Sequence, residues 1–168
     1  MSSLVGIAAA SLALIVAGSL SGCGFTPMYA QPGVSGGLTH IDVVAPRGRV
    51  GFLLTQDLND ALGRKPGETA AFKLEMVVVQ GRTPHGLTAN DTAQRYEYAM
   101  KVVYTLLDVS TGKVAHTGVV YSNISYDSVN QPYAGIQARN DVQDRLALDV
   151  SAKLETQIAA WLATRRAG

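Results

Sequence analysis

Every second residue is apolar in several stretches of the chain, which is the pattern of a strand with one buried face. From Ala71 to Gln80 the apolar positions alternate with Lys73 and Glu75. From Arg95 to Val109 one side carries a long apolar and aromatic series, made of Tyr96, Tyr98, Met100, Val102, Tyr104 and Leu106. Because successive side chains of a strand point to opposite faces, each stretch predicts a strand with one buried and one solvated face.

A hairpin turn is predicted where the second of these strands ends. Residues Asp108 to Lys113 include Gly112, which adopts positive φ without steric cost. Val114 to Tyr126 then returns as a further strand, antiparallel to the one before it. A shorter run, Leu38 to Val44, predicts a first strand that Pro46 closes. The sequence leaves the pairing direction of this first strand open.

Two other stretches have the spacing of helices, with apolar residues three or four positions apart. The first runs from Arg49 to Arg64, and Gly63 and Pro66 end it. The second runs from about Ile136 to Arg165, and its stripe consists of Val142, Leu146, Val150, Leu154, Ile158 and Leu162. A stripe that recurs every four residues drifts slowly around the helix, as packing across a twisted sheet requires.

The order of these elements is β-α-β-β-β-α, which predicts a two-layer α+β fold. We expect two helices packed on one face of a mostly antiparallel four-stranded sheet. The predicted domain covers residues 38–166, a length that supports a single hydrophobic core.

The N-terminal segment differs from the rest of the chain because no Asp, Glu, Lys or Arg occurs from Met1 to Thr39. An apolar run from Leu4 to Leu20 is followed directly by Ser21, Gly22 and Cys23. Leu20 to Cys23 resembles the lipobox of bacterial lipoproteins, in which the cysteine is acylated and the signal is cut just before it. This resemblance predicts a signal peptide at residues 1–22 and a lipidated Cys23 with a Gly- and Pro-rich tether at residues 23–37.

Two other interpretations of this segment stay open. A transmembrane helix needs about 20 apolar residues and usually basic flanks, and the run is marginal in length and lacks them. An ordinary secretory signal would leave Cys23 as a free thiol, which is unfavourable in an oxidising compartment. Acyl chains on Cys23 would hold the protein on a membrane, because each buried methylene contributes about 0.8 kcal/mol.

Charge and motif searches yield no catalytic, cofactor or metal site. A net charge of +1 gives no broad basic field, so nucleic acid is not an expected partner. His40, His85 and His116 lack other ligands at metal spacing, and no G-x-S-x-G nucleophile motif occurs. The Gly-Lys pair at residues 112–113 lacks the earlier glycine of a phosphate loop. We interpret Asp141, Asp144 and Asp149 as a solvated helix face. These observations favour a binding component over an enzyme.

One stretch remains as a candidate for binding, a predicted 14-residue loop from Gly81 to Gln94, which is long for a hairpin connection. It contains Arg82 and leads into Arg95, and Lys101 follows on the next strand. Such basic groups contact lipid phosphates through charge-assisted hydrogen bonds. Scattered, solvated charges are the alternative explanation for each of the three.

The residues from Cys23 to Tyr29, Cys-Gly-Phe-Thr-Pro-Met-Tyr, resemble the Cys-Gly-Phe-x-Pro-Leu-Tyr opening of the LPS-assembly lipoprotein family LptE, with Met28 in place of Leu. The helices at Arg49–Leu62 and Ala138–Leu162 are similar to the family's in style. The resemblance implies an outer-membrane lipoprotein that plugs and supports the β-barrel LptD and binds lipopolysaccharide. Gly24, where inner-membrane lipoproteins often carry Asp, agrees with the outer membrane.

The same resemblance implies a domain on the periplasmic side or within the barrel lumen, and it transfers no lipopolysaccharide-binding residue by motif. Arg82, Arg95 and Lys101 are therefore candidates from charge. Two alternatives are an auxiliary lipoprotein of an envelope ABC-type lipid transporter and a lipid-anchored periplasmic enzyme.

Overall fold

The computed structural model of the chain describes residues 33–65, 67–87, 93–127 and 132–166. The elements in these ranges are α1 (Val34–Thr39), β1 (Ile41–Val44), α2 (Arg49–Ala61), β2 (Phe72–Leu87), β3 (Ala93–Asp108), β4 (Val114–Asp127) and α3 (Pro132–Arg166). Cys23 and the residues through Tyr29 lie outside the described residues. In the part of the chain that is described, no helix is both long and apolar enough to cross a bilayer.

The four strands form one sheet in the order β1-β2-β3-β4. The strands β2, β3 and β4 pair antiparallel over nearly their whole length, whereas β1 runs parallel to β2 from Ile41 to Val44. The predicted α+β class and mostly antiparallel sheet are confirmed. The parallel pair answers the question that the sequence left open, since α2 carries the chain from β1 back to the start of β2.

The core lies between the helices and one face of the sheet. All six residues of the predicted stripe on α3 are buried, as are Val50, Leu54 and Leu58 on α2. Tyr104 on β3 is fully buried below them, and its hydroxyl donates to Gln157 Oε1 at 3.0 Å. Gly118 lies opposite Tyr104 in register, and a Cβ there would lie 2.5 Å from the Tyr104 hydroxyl. The helix periodicity therefore predicted the core correctly.

The folded part of the chain begins earlier than residue 38, the predicted start of the domain. Val34 and Leu38 lie on the short helix α1 and are 1% and 3% exposed in the core. The His40 ring lies 2.7 Å from the Gly36 carbonyl oxygen at the end of this helix. The high Gly content of residues 33–37 favoured a tether over a helix in the sequence analysis. Burial of two apolar side chains, rather than helix propensity, stabilises α1.

The predicted 14-residue loop from Gly81 to Gln94 is wrong. β2 continues to Leu87 and β3 begins at Ala93, so Arg82 and His85 lie in a strand; Asn90 and Asp91 lie outside the described residues. Pro84 is tolerated because β2 is unpaired on its outer side along this stretch. A proline whose missing N–H faces away from the ladder breaks no strand hydrogen bond.

The hairpin between β3 and β4 follows the prediction. Gly112 has φ of 67°, and the Asp108 carboxylate accepts hydrogen bonds from the Ser110 side chain and from the backbone N–H groups of Ser110 and Thr111. The bond from the Ser110 side chain is the largest of the effects that lower the pKa of Asp108. This network fixes the hairpin turn. We call the end of the sheet at this turn, near Asp108 and Lys113, the proximal end. The opposite end, near Leu87 and Asp127, is the distal end.

One polar contact between α3 and the sheet predicts a pH-dependent stability. Asp149 accepts hydrogen bonds from Lys153 Nζ at 2.6 Å and from Ser122 Oγ at 2.5 Å. These bonds, that of Lys153 first, hold the pKa of Asp149 below its ordinary value of 3.8. A carboxylate with a lowered folded pKa stabilises the fold above its unfolded pKa, and this contribution is lost as the pH falls through the folded pKa.

We therefore expect Asp149→Asn to lower the free energy of unfolding at neutral pH by about 0.5–1 kcal/mol, because the ion pair is half exposed. The difference from wild type should vanish at a pH below the folded pKa, as measured by urea unfolding. Asp141→Asn is the matched control, since its partner Arg145 is 3.8 Å away and both side chains are largely exposed. A loss of equal size at both pH values would contradict this account.

Candidate binding surface

The helices cover one face of the sheet and leave the other face uncovered by the described residues. Side chains at even-numbered positions of β2 and β3 point to the helix side, and those in the proximal and middle parts, such as Leu74 and Val102, are buried. Odd-numbered positions point to the opposite side, which we call the open face. Its proximal third is polar, with Lys73 and Glu75 joined in an ion pair of 2.8 Å.

The middle of the open face is apolar, which the sequence prediction of a solvated face missed. Val77, Val103 and Val119 lie side by side across three strands in direct register. The next row along the strands contains Val79, Lys101 and Tyr121. We call these six residues the central patch. Its five apolar side chains are between 39% and 64% exposed. A contiguous apolar patch of this kind on a sheet is typical of a surface that contacts another molecule.

The sequence contained a signal for this patch. Met76 to Val79 is an unbroken apolar run, so the alternation that ends at Glu75 stops there. A strand that is apolar at consecutive positions is typically buried on both faces. Here the second face is covered by nothing in the described chain, which favours a partner.

The distal end carries an aromatic cluster on the helix side of the sheet. The Tyr96 and Tyr126 rings have centroids 5.7 Å apart, and the Arg82 guanidinium lies 4.4 Å above the Tyr96 ring. Further in, the Tyr98 hydroxyl donates to Gln80 Oε1 at 3.1 Å and accepts from Gln143 Nε2 at 3.1 Å. The cation–π contact orients Arg82 and leaves its charge without a carboxylate partner among the described residues.

The distal end of the open face is polar and largely charge-balanced. Arg95 Nε donates to Asp127 Oδ1 at 3.0 Å, and His85 Nε2 lies 3.5 Å from Glu97 Oε2. Lys101, by contrast, has no hydrogen bond or ion pair within the described ranges. Lys101 therefore places an uncompensated positive charge beside the valines of the central patch.

The three basic residues proposed from the sequence do not converge on one point. Arg82 pairs with Tyr98 in register and points to the helix side, whereas Arg95 and Lys101 point to the open face. Arg95 and Lys101 are six residues apart on one strand, about 20 Å at 3.4 Å per residue. Any anion bound by all three would have to be large and wrap around the distal end, as a lipid headgroup with several phosphates can.

Two further titratable groups, His116 and Asp144, make structural contacts. His116 stacks on Trp161 with centroids 5.4 Å apart, and Asp144 pairs with Arg49 at 2.6 Å between α3 and α2. Within the described residues no group of three His, Cys, Asp or Glu side chains has the arrangement of a metal site. A cavity of about 550 Å³ at the proximal end is lined by Gly33, Gly36, Gly37, His40, Ala71, Phe72, Leu162 and Arg165.

Helices on one face of a sheet and an apolar, lysine-containing patch on the other define the class of protein: a small two-layer α+β domain with one exposed sheet face. A family model described as LptE: Lipopolysaccharide-assembly matches residues 38–160, well over half of the chain. The chain belongs to the LptE family of lipopolysaccharide-assembly lipoproteins. The protein thus takes part in lipopolysaccharide assembly, and its family is non-enzymatic.

Solved structures agree with this assignment. A candidate lipoprotein from Caulobacter crescentus CB15 is 40% identical over 79% of this chain and 97% of its own, with a TM-score of 0.68. Rare lipoprotein B from Shewanella oneidensis has a TM-score of 0.60 at 11% identity, covering 75% of this chain and 98% of its own.

An uncharacterised lipoprotein B from Nitrosomonas europaea has a TM-score of 0.56 at 14% identity, covering 73% and 83% of the two chains. The likeness to the Shewanella and Nitrosomonas proteins shows a shared fold alone. No curated protein matches the chain in sequence.

Proposed function

We propose that this protein is an outer-membrane lipoprotein of the lipopolysaccharide transport machinery, anchored by acyl chains on Cys23. In this proposal its domain occupies the lumen of an LptD-type β-barrel, supports that barrel and binds lipopolysaccharide. Family membership supports the pathway, and the sequence around Cys23 supports the anchor. The central patch is the observation that supports the barrel contact, because a contiguous exposed apolar patch commonly marks the site where a protein contacts a partner.

The barrel contact predicts that one charge in the central patch blocks assembly. Val119 is 49% exposed on the open face, and burying a carboxylate against a partner is costly even beside Lys101, because desolvation can exceed the attraction between the two charges. We expect Val119→Asp to reduce recovery of the barrel with the affinity-tagged full-length protein by about tenfold or more, equivalent to about 1.4 kcal/mol. Val109→Asp is the matched control, since Val109 is 55% exposed but lies in the hairpin turn. Equal recovery with both variants would rule out the open face as the contact.

The lipid contact predicts a separate effect of the basic residues. Arg82 and Lys101 lack carboxylate partners among the described residues, so their charges are available to lipid phosphates. We expect the double variant Arg82→Ala/Lys101→Ala to bind purified lipopolysaccharide about tenfold more weakly than wild type, as two charge-assisted contacts are lost. Arg95→Ala should have a smaller effect because Asp127 already pairs with Arg95.

Lys113→Ala controls for net charge, because Lys113 is exposed at the proximal end. Binding can be followed by fluorescence titration of the folded domain with lipopolysaccharide. A double variant that binds as tightly as Lys113→Ala would contradict the proposed contact.

A further inference from the structure

The two edges of the sheet differ in how their backbone groups are satisfied. On the β4 edge, Lys153 Nζ donates to the Tyr121 carbonyl oxygen at 3.2 Å and Gln157 Nε2 donates to the Val119 carbonyl oxygen at 3.4 Å. Side chains from α3 therefore occupy edge groups that another strand would need. Such protection is a common way for proteins to prevent strand addition at an edge.

The β2 edge is protected by β1 for a short distance. β1 pairs with Phe72–Glu75, and from Met76 onward no described strand lies beside β2. No side chain in the described ranges donates to or accepts from the β2 backbone between Met76 and Arg82. This stretch of seven residues is as long as an average strand.

The direction of the backbone groups in this stretch follows from two bonds at the start of β2. Phe72 N donates to the His40 carbonyl oxygen at 3.2 Å on the β1 side, and Asp108 N, opposite Phe72 on β3, donates to the Lys113 carbonyl oxygen at 2.9 Å on the β4 side, so this pair directs its backbone groups away from each other. Register with β3 is unbroken from Phe72 to His85. Because a residue of an antiparallel pair directs its N–H and C=O to the same neighbour, even-numbered residues direct both groups to the open edge. The pairing of Val44 with Glu75 places the Met76 N–H in the ladder to β1, so the groups left at the open edge are the Met76 carbonyl and both groups of Val78, Gln80 and Arg82.

The exposed side chains of the same stretch favour a bound segment that has apolar side chains. Val77 and Val79, 64% and 57% exposed, flank the free backbone groups on the open face. Both belong to the central patch, so the edge and the patch form one continuous surface. An extended peptide segment satisfies the backbone groups and covers the valines at the same time.

We propose that β2 between Met76 and Arg82 binds an extended segment of the barrel partner by strand addition, so that this segment continues the sheet beyond β1. The proposal rests on the proposed function and names the surface and the mode of contact. β1 already uses the same edge in this way within the chain. Pro84, which lacks an N–H, sets the distal limit of the added strand.

The test removes one main-chain donor without changing the ladder to β3. Gln80→Pro eliminates an N–H that faces the open edge, and Gln80→Ala loses the same side chain but keeps that N–H. Each variant is expressed as the full-length lipoprotein, and recovery of the barrel from detergent-solubilised outer membranes is measured. We expect Gln80→Ala to recover the barrel as wild type does and Gln80→Pro to recover about tenfold less.

Equal recovery by the two variants overturns strand addition, and so does equal loss by both, which would assign the effect to the Gln80 side chain. Wild type that recovers no barrel contradicts the proposed function instead, so the two failures are distinguishable. If Gln80→Pro does not fold, hydrogen exchange of the wild-type protein tests strand addition instead. The amides of Val78, Gln80 and Arg82, which face the open edge, should exchange about tenfold more slowly in the barrel complex than in the free protein. Unchanged exchange, or protection already present in the free full-length chain, overturns the proposal.

Discussion

Replacing Gly51 by alanine should strongly destabilise the domain, although the change adds only one methyl group. Gly51 lies in the first turn of α2, where an added Cβ would overlap the Pro46 carbonyl oxygen and lie 2.8 Å from the Pro46 carbonyl carbon. Both atoms belong to the backbone, so no side chain can rotate away. We expect a loss of about 3 kcal/mol, the upper end for overpacking, and a melting temperature lower by roughly 10 °C.

Gly81→Ala is the matched control for this experiment. Gly81 lies within β2, and a Cβ built on it meets no atom within 4 Å. Alanine there should leave the melting temperature unchanged or raise it slightly, because it reduces the entropy of the unfolded chain. Thermal unfolding followed by circular dichroism compares the two variants directly. If Gly51→Ala has the same melting temperature as wild type, the close approach of α2 to Pro46 is wrong.

The second large effect is expected at Cys23. If Leu20 to Cys23 is a lipobox, Cys23→Ala removes the acylated thiol and the point of signal cleavage together. We expect complete loss of labelling by radioactive palmitate, because the chain has a single cysteine. Loss of two or three acyl chains removes many buried methylenes at about 0.8 kcal/mol each.

Ser21→Thr is a useful control because it changes a neighbouring residue and keeps the cysteine. Persistent palmitate labelling of Cys23→Ala would refute the lipobox. The folded domain itself should be unaffected, since Cys23 precedes the first described helix. Its melting temperature therefore separates anchoring from folding.

The helices and the buried face of the sheet were predictable because their signal is local. The stripe from Val142 to Leu162 recurs every four residues, and the alternation from Tyr96 to Leu106 recurs every two. Each pattern reports which side chains avoid water, and burial followed it at every one of these positions except Tyr96 and Tyr98, which are half-buried near the distal end.

The edges of the sheet were not predictable in the same way. Gly81 and Pro84 are typical of loops, and their place in a strand depends on β2 being an edge whose outer side has no partner. The wrong loop boundaries also hid the register, which places Arg82 and Arg95 on opposite faces. Register is a tertiary property here, because a shift of one residue reverses every side chain of a strand.

The candidate surface was also predictable only in part, because some of its features are local in sequence and others depend on strand pairing. Lys101 was identified from its charge, but the alignment of Val77, Val103 and Val119 requires the pairing of three strands. The apolar run at Met76 to Val79 was visible in the sequence and indicated a strand apolar on both faces. The sequence does not show that the described helices cover only one face of this strand and leave the other face exposed.

Affinity purification of the full-length, acylated protein from detergent-solubilised outer membranes tests the central proposal most directly. The proposed function predicts recovery of an LptD-type β-barrel in a stoichiometric amount, with bound lipopolysaccharide. Recovery of the intact, folded lipoprotein without any stoichiometric barrel protein would contradict it.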